Sequence, residues 1–296
     1  AFVGAGSVGF TRKLVSDILT VPEFGQTHLS LMDLNGQNLE MVRELVQRDI
    51  EANNKPDVRL TATTDRREAL KDADYVFVVF RHGGVEAFAL DIDIPLKYGV
   101  DQCVGDTLSA GGIMYGQRNI PAILEFCDDM REVSKPGVLF LNYANPNAMN
   151  TWAAVEYGKV NTVGLCHGVM GGWHQIASVL GAKSKDEVDI ICAGINHQTW
   201  YIQIKYKGRE VSGAELLRAE AEAVAEAPAA EAAAARRRAA WLSGDVVGLA
   251  AAVGFSDQRF GSLDNGKDQV GEVLVAFCRG IVQDQRAVDR ELRRTL

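Results

Sequence analysis

The run Ala1-Phe2-Val3-Gly4-Ala5-Gly6-Ser7-Val8-Gly9 constrains this chain more than any other stretch. Apolar residues lead into glycines at the G-x-G-x-x-G spacing, and residues 10–20 continue with helical periodicity, so the glycines sit where a strand turns into a helix. In such a turn Gly4 permits the tight bend, Gly6 lets the backbone approach a pyrophosphate, and Gly9 lets the helix pack closely. The free N–H groups at the helix start, around Ser7, Val8 and Gly9, offer partial positive charge to phosphates. Three glycines in six residues also serve plain turns, so context decides. Leu29-Ser30-Leu31-Met32-Asp33 reads as a second strand ending in a carboxylate, where a βαβ unit bonds a ribose hydroxyl. A dinucleotide site built from Gly4, Gly6, Ser7, Val8, Gly9 and Asp33 follows, with NAD favoured over NADP because Asp33 repels a 2′-phosphate.

A chain of 296 residues suffices for one large or two ordinary domains with a buried core. The net charge of −8 argues against nucleic-acid and anionic-membrane partners, because nothing neutralises phosphates, and Arg236-Arg237-Arg238 is too short a run to change that. No stretch of about 18 apolar residues spans a bilayer, and no basic, then apolar leader opens the sequence. Five cysteines without a repeating spacing fit reduced thiols, so a cytoplasmic location is expected.

Along the chain, residues 38–53 read as a helix, 58–62 as a strand, and Asp65 and Glu68 as caps of a short helical turn. Residues 75–80, 138–143 and 162–166 are near-continuous apolar runs, as parallel strands covered on both faces require, and residues 119–133 form an amphipathic helix. The pattern predicts an α/β fold: a Rossmann-like, doubly wound, mostly parallel sheet with ligands gathered beyond the carboxyl ends of its strands. Polar, glycine-rich segments follow those ends: Arg81-His82-Gly83-Gly84, the 105–112 segment read as a flexible loop, Asn145-Pro146-Asn147, Cys166-His167-Gly168 and Gly194-Ile195-Asn196-His197. From residue 208 an alanine-rich stretch interrupted by Pro228 reads as helix, with further helices at 241–253 and 271–296. The expected division is a dinucleotide-binding domain over 1–195 and a largely helical substrate or oligomerisation region over 196–296.

Cys166 and His197, each at a strand end, form a candidate pair for a divalent metal, although a separation of 31 residues is no metal motif by itself. Cys192, inside an apolar strand, reads as a buried small hydrophobe. Asn145-Pro146-Asn147 serves either an Asx-turn or hydroxyl recognition, and Asp106 either a cap or a sugar-binding carboxylate.

Taken in order, the Gly4–Gly9 run, Gly105-Asp106-Thr107 with Gly111-Gly112-Ile113, Asn142-Tyr143-Ala144-Asn145-Pro146-Asn147, Gly164-Leu165-Cys166-His167-Gly168-Val169 and Cys192-Ala193-Gly194-Ile195-Asn196-His197 closely resemble glycoside hydrolase family 4 over roughly residues 1–205. The resemblance implies a chemistry in which NAD oxidises the sugar at C3, a side-chain base removes the C2 proton, the aglycone is eliminated, water adds and the hydride returns. It implies Mn²⁺ held by Cys166 and His197, Asn145 near the nicotinamide ribose, Asn147 on a substrate hydroxyl, and Asp106 in the acid–base network. Cys166-His167-Gly168-Val169 is similar to the members acting on unphosphorylated α-galactosides, α-glucosides or uronides. His167 would then bond a hydroxyl or protonate the leaving oxygen. Such relatives are usually homodimers or homotetramers. The family continues with a sheet-containing second domain and a catalytic tyrosine, for which residues after 207 offer no match; the C-terminal region is therefore expected to be shortened or atypical. Two other readings stay open: a malate/lactate-type 2-hydroxy-acid dehydrogenase, which also pairs a Gly-rich turn with an Asn-Pro loop, and an NAD-binding protein without catalysis.

Overall fold

A computed structural model describes residues 1–102 and 105–226, with side chains up to 222. Two compact units divide them, Ala1–Leu165 and a second beginning at Cys166.

The first unit follows from the apolar runs. β1 (Phe2–Val3), β2 (His28–Met32), β3 (Arg59–Thr63), β4 (Tyr75–Val78), β5 (Leu139–Asn142) and β6 (Asn161–Gly164) form one parallel sheet in the order β3-β2-β1-β4-β5-β6. The order reverses at β1, so the chain leaves β1 and β4 toward opposite edges of the sheet and opens a crevice at their carboxyl ends. Alternate side chains fill the two faces. Phe2, Leu31, Phe77 and Leu141 pack with Leu14, Ile18 and Val46 of α1 (Val8–Thr20) and α2 (Gly36–Ala52). Val3, Val76, Val78 and Phe140 pack with Ile123, Phe126 and Met130 on the other side. Each fully buried large side chain contributes roughly 1.5–3 kcal/mol, and Phe2 stacks on Phe77 with ring centroids 4.6 Å apart. Asp65 caps α3 (Arg66–Leu70) through the N–H groups of Arg67 and Glu68, as its sequence position suggests.

Two expectations change here. The helix expected at 119–133 is α5 (Ser109–Val133), ten residues longer, and α4 (Gly84–Lys97) precedes it where the sequence pattern was silent. Residues 109–112 are helical rather than loop because glycine lets α5 pass its neighbours closely: a Cβ on Gly111 would lie 2.8 Å from the Asp91 carbonyl, and one on Gly112 2.5 Å from the backbone of Thr107. The division expected at 195 falls at 165, because β6 is the last strand of the parallel sheet.

The second unit has its own core. β7 (Val188–Ile195), β8 (Gln198–Tyr206) and β9 (Arg209–Glu210) form an antiparallel sheet, packed with α7 (Gly168–Val179) and α8 (Gly213–Glu226) through Ile176, Val188, Ile204, Val211 and Leu216. The region after 195 is thus not purely helical among the described residues; Pro228 and the helices expected at 241–253 and 271–296 lie outside them. No described helix is long and apolar enough to cross a membrane.

In an open helix, replacing Gly111 by Ala would gain up to about 1 kcal/mol. Against a backbone carbonyl the overpacking cost of about 1–3 kcal/mol wins. Gly111→Ala should therefore lower the urea midpoint at unchanged m; an unchanged or raised midpoint would refute the close-packing account.

Candidate cofactor and metal sites

At the sheet's switch point the glycine run behaves as its spacing requires. Gly4 has φ +84°, and a Cβ there would lie 2.7 Å from the backbone nitrogen of Phe80 as the chain leaves β4. Gly4 and Ala5 both donate to the Met32 carbonyl at 2.9 Å. Gly6 donates to Asp33 Oδ2 at 2.8 Å, and a Cβ on Gly6 would sit 2.8 Å from that same oxygen. Asp33 is therefore placed at the end of β2, facing the turn, with its other oxygen on the Asn35 N–H. α1 begins without a side-chain cap from Ser7 and without an acid in its first turn, leaving its terminal N–H groups to an incoming anion. Val8 is half-exposed beside them. Gly9 departs from its expected role: a Cβ there would meet nothing within 4 Å, so close helix packing is not what keeps that position small.

Beyond β4 and β5 a second polar cluster assembles in the same unit. Asp106 is 6 % exposed; its Oδ1 accepts from Thr107 Oγ1 at 3.0 Å, and its Oδ2 accepts from Arg81 Nη2 at 3.0 Å and Asn145 Nδ2 at 3.1 Å. Asn119 of α5, fully buried, links the two strand exits by accepting from the His82 N–H and donating to the Asn145 carbonyl. Asn145 precedes a cis proline and stays half-exposed. Asn147 lies at the same corner of the sheet. Its buried amide nitrogen is committed to the carbonyls of Asn142 and Leu165, and its Oδ1 lies against Gly164, so it ties the ends of β5 and β6 and α6 (Asn147–Glu156) together.

In the second unit, Cys166 and His197 do meet: Sγ lies 3.3 Å from Nε2. The chain gets there through a tight β7–β8 turn in which Gly194 has φ 122° and His197 φ 61°. Burial works to raise the Cys166 thiol, but the His197 ring, the Gly168 N–H and the Asn196 side chain outweigh it and bring the pKa below the ordinary thiol value. The pair lines a cavity of about 280 Å³ with Asn196, Thr199, Tyr201 and Cys192. Cys192 is thus not the buried hydrophobe its apolar strand suggested: the half-buried thiol lines the cavity, beside an irregularity in the β7–β8 pairing where Ile202 of β8 is skipped between the partners of Ile191 and Cys192. His167, at the head of α7, is exposed and does not line that cavity.

Both sites pass an elementary test of fit. A positive-φ glycine, a bare helix terminus and a strand-end carboxylate suit a dinucleotide's pyrophosphate and ribose. A lowered thiol, an imidazole, and the buried Asn196 Oδ1, which has no hydrogen-bond partner among the described residues, supply sulfur, nitrogen and oxygen donors for a divalent cation. Among the described residues no group of three or more His, Cys, Asp or Glu side chains could hold a metal.

A family model described as "Family 4 glycosyl hydrolase" matches residues 1–182. The chain belongs to that family. It is 61 % identical over 219 residues to an alpha-galactosidase of Rhizobium meliloti (strain 1021), covering 74 % of this chain and 44 % of that protein. An alpha-galactosidase of Bacillus subtilis (strain 168) is 32 % identical over 211 residues, covering 71 % and 48 % respectively. Among solved structures, the 6-phospho-beta glucosidase from Thermotoga maritima, determined with manganese, NAD+ and glucose-6-phosphate, superposes with a TM-score of 0.61 at 26 % identity, covering 71 % of this chain and 50 % of that one. The chain spans about half the length of the curated relatives it matches.

The thiol environments differ enough to order their reactivity. Cys127, fully buried, is pushed up to about 12 by burial, and Cys192 is raised by burial too. At pH 7 the thiolate fraction should therefore be larger at Cys166 than at Cys192 or Cys127, and limited iodoacetamide labelling mapped by mass spectrometry should mark it before those two. His197→Ala should slow Cys166 labelling, since it removes groups that lower the thiol; faster labelling in that variant would contradict the assignment.

Proposed function

We propose that the protein is an NAD- and manganese-dependent glycoside hydrolase acting on unphosphorylated α-galactosides, as a homodimer or homotetramer. The observation that carries this reading is the 3.3 Å approach of Cys166 and His197, in a family 4 chain whose first unit bears the Gly4–Asp33 turn. The α-galactoside preference is drawn from the 61 % identical relative of that name; the probable 6-phospho-beta-glucosidase of Bacillus subtilis (strain 168) is 36 % identical. When bound, the dinucleotide accepts and returns a hydride while the cation draws charge from sugar oxygens.

The protein's own residues divide the remaining work. Gly4 and Gly6 keep the turn clear of side chains, Ser7, Val8 and Gly9 open the first turn of α1 toward the phosphates, and Asp33 receives a ribose hydroxyl. Cys166 would hold the cation as thiolate and His197 through Nε2, with the Asn196 carbonyl as an additional oxygen. Asp106 would bond a sugar hydroxyl and exchange its proton. Asn145, beside Asp106, replaces Asn147 as the asparagine free to meet a hydroxyl. His167, exposed at the head of α7, is the candidate for bonding or protonating the leaving oxygen. The cysteine–histidine pair has no task in a 2-hydroxy-acid dehydrogenase, which weighs against that alternative.

Nitrophenyl α-galactoside hydrolysis tests the proposal. Release of nitrophenol should require NAD⁺, Mn²⁺ and reductant, with no net NADH, and omission of NAD⁺ or addition of a chelator should cost at least about 100-fold. Cys166→Ser should weaken activation by Mn²⁺ while NAD⁺ affinity by calorimetry stays within about twofold. Hydrolysis that survives without NAD⁺ overturns the mechanism, and NADH accumulating with a 2-hydroxy acid would establish the dehydrogenase instead.

A further inference from the structure

Arg81 leaves β4 in a run that the dinucleotide and metal sites do not use, yet its guanidinium is held by two aromatic rings and a buried carboxylate. One face lies 4.5 Å from the ring centroid of Phe88 and it sits 4.7 Å from that of Tyr115. Both rings are themselves anchored. Phe88 rides on α4, and Tyr115, 1 % exposed on α5, also stands 5.7 Å from the guanidinium of Arg118. Arg118 in turn donates from Nη1 to the buried Asp91 of α4 at 2.8 Å. A guanidinium held by two rings has little freedom to swing, and its Nη2 is aimed at Asp106 Oδ2 at 3.0 Å.

The carboxylate it meets cannot orient itself. Asp106 follows Gly105, whose φ is +75°, in a short link before α5. Two donors from neighbouring strand exits, Arg81 after β4 and Asn145 after β5, converge on one oxygen, Oδ2. Among the described residues, Oδ1 accepts from the neighbouring Thr107 Oγ1 at 3.0 Å. The ring-clamped cation therefore fixes the rotation of the Asp106 carboxylate, with its two strand-exit donors on Oδ2 and the local Thr107 hydroxyl on Oδ1.

We propose that Arg81 is a positioning residue for the glycosidase reaction: clamped between Phe88 and Tyr115, it holds Asp106 Oδ2 so that Oδ1 faces a hydroxyl of the sugar. This rests on the reading of Asp106 as sugar-facing given above. A lysine cannot replace it, because an ammonium is a point charge without the planar face that both rings grip.

The experiment compares Arg81→Ala, Arg81→Lys, Asp106→Asn and the Arg81→Ala/Asp106→Asn double variant in the protein loaded with NAD⁺ and Mn²⁺. Misplacing a reacting group by about 1 Å costs on the order of 100-fold, so Arg81→Ala should lose about that in kcat with KM and NAD⁺ affinity within about threefold. Arg81→Lys should recover little of the loss. Added guanidinium at tens of millimolar should restore Arg81→Ala by about tenfold where equal sodium or methylammonium does not, since only a planar fork refits the slot. The double variant should be no slower than Asp106→Asn alone. Independently of turnover, the side-chain amide protons of Asn145 should exchange faster with solvent in Arg81→Ala by NMR, as its acceptor loosens. Unchanged kcat with unchanged Asn145 exchange overturns the inference, as does a loss that is additive with Asp106→Asn and indifferent to guanidinium. An inactive parent protein would instead count against the glycosidase reading, and the Asn145 exchange would still decide the role of Arg81.

Discussion

The first unit depends on how closely the chain can pass itself where β1 ends. Gly4 lies so near the backbone of Phe80 that no side chain fits between the exits of β1 and β4. The N–H groups of Gly4 and Ala5 share one carbonyl at the end of β2. These contacts hold three strand ends together before α1 starts, and Gly6 carries the lacing on to Asp33. A Cβ at position 4 would be strained twice, by the positive φ and by the clash, at roughly 1–3 kcal/mol for the backbone alone. The result is a helix terminus whose N–H groups no side chain of its own satisfies. That is an energetically open position, and a bound anion closes it.

Much of this was legible because it is local. The central strands β1, β4 and β5 announce themselves as apolar runs, and their two-sided burial explains why they do not alternate in polarity, while β3 and β6 at the sheet edges are more polar and less buried. The turn glycines and Asp33 are readable from spacing, since a βαβ unit fixes both. What local pattern could not convey was how far α5 extends toward its N-terminus. Gly111 and Gly112 look like loop residues until the carbonyls they must pass are in place. The domain boundary is of the same kind: residues 162–166 and 188–195 read alike as strands, and only hydrogen-bond pairing assigns the first to the parallel sheet and the second to an antiparallel one.

The site was legible in its residues and less so in their tasks. Cys166 and His197 stood at strand ends, where an α/β protein collects its ligands, and they lie in contact. The two asparagines flanking Pro146 have the same chemistry and differ only in environment. One is folded onto main-chain carbonyls, the other is half-exposed beside Asp106, and no sequence signal separates them. Cys192 was misjudged because the face of β7 it shares with Val188 and Ile190 is covered at Val188 but lines a cavity at Cys192. Arg81 could have been picked out by its place after β4, but its significance depends on rings supplied by two helices.

The step most dependent on a base is proton removal from a sugar carbon, and Tyr201 and Tyr115 are poor candidates for it. Tyr201 donates its hydroxyl to the Val169 carbonyl, and burial pushes its pKa to about 12. Tyr115 is raised to about 12 by burial between its two arginines. A phenol with that pKa is ionised in only about one molecule in 10⁵ at pH 7, a fraction too small to serve a general base whose best pKa lies near the working pH. Tyr115 is also enclosed, so its value to the site is mechanical: it is one wall of the slot that grips Arg81. The first unit thus carries a turn suited to a dinucleotide and a buried carboxylate held in one orientation by Arg81, Asn145 and Thr107. The second carries a thiol and an imidazole suited to a cation. A base for proton abstraction is thus to be sought in a group other than these two phenols.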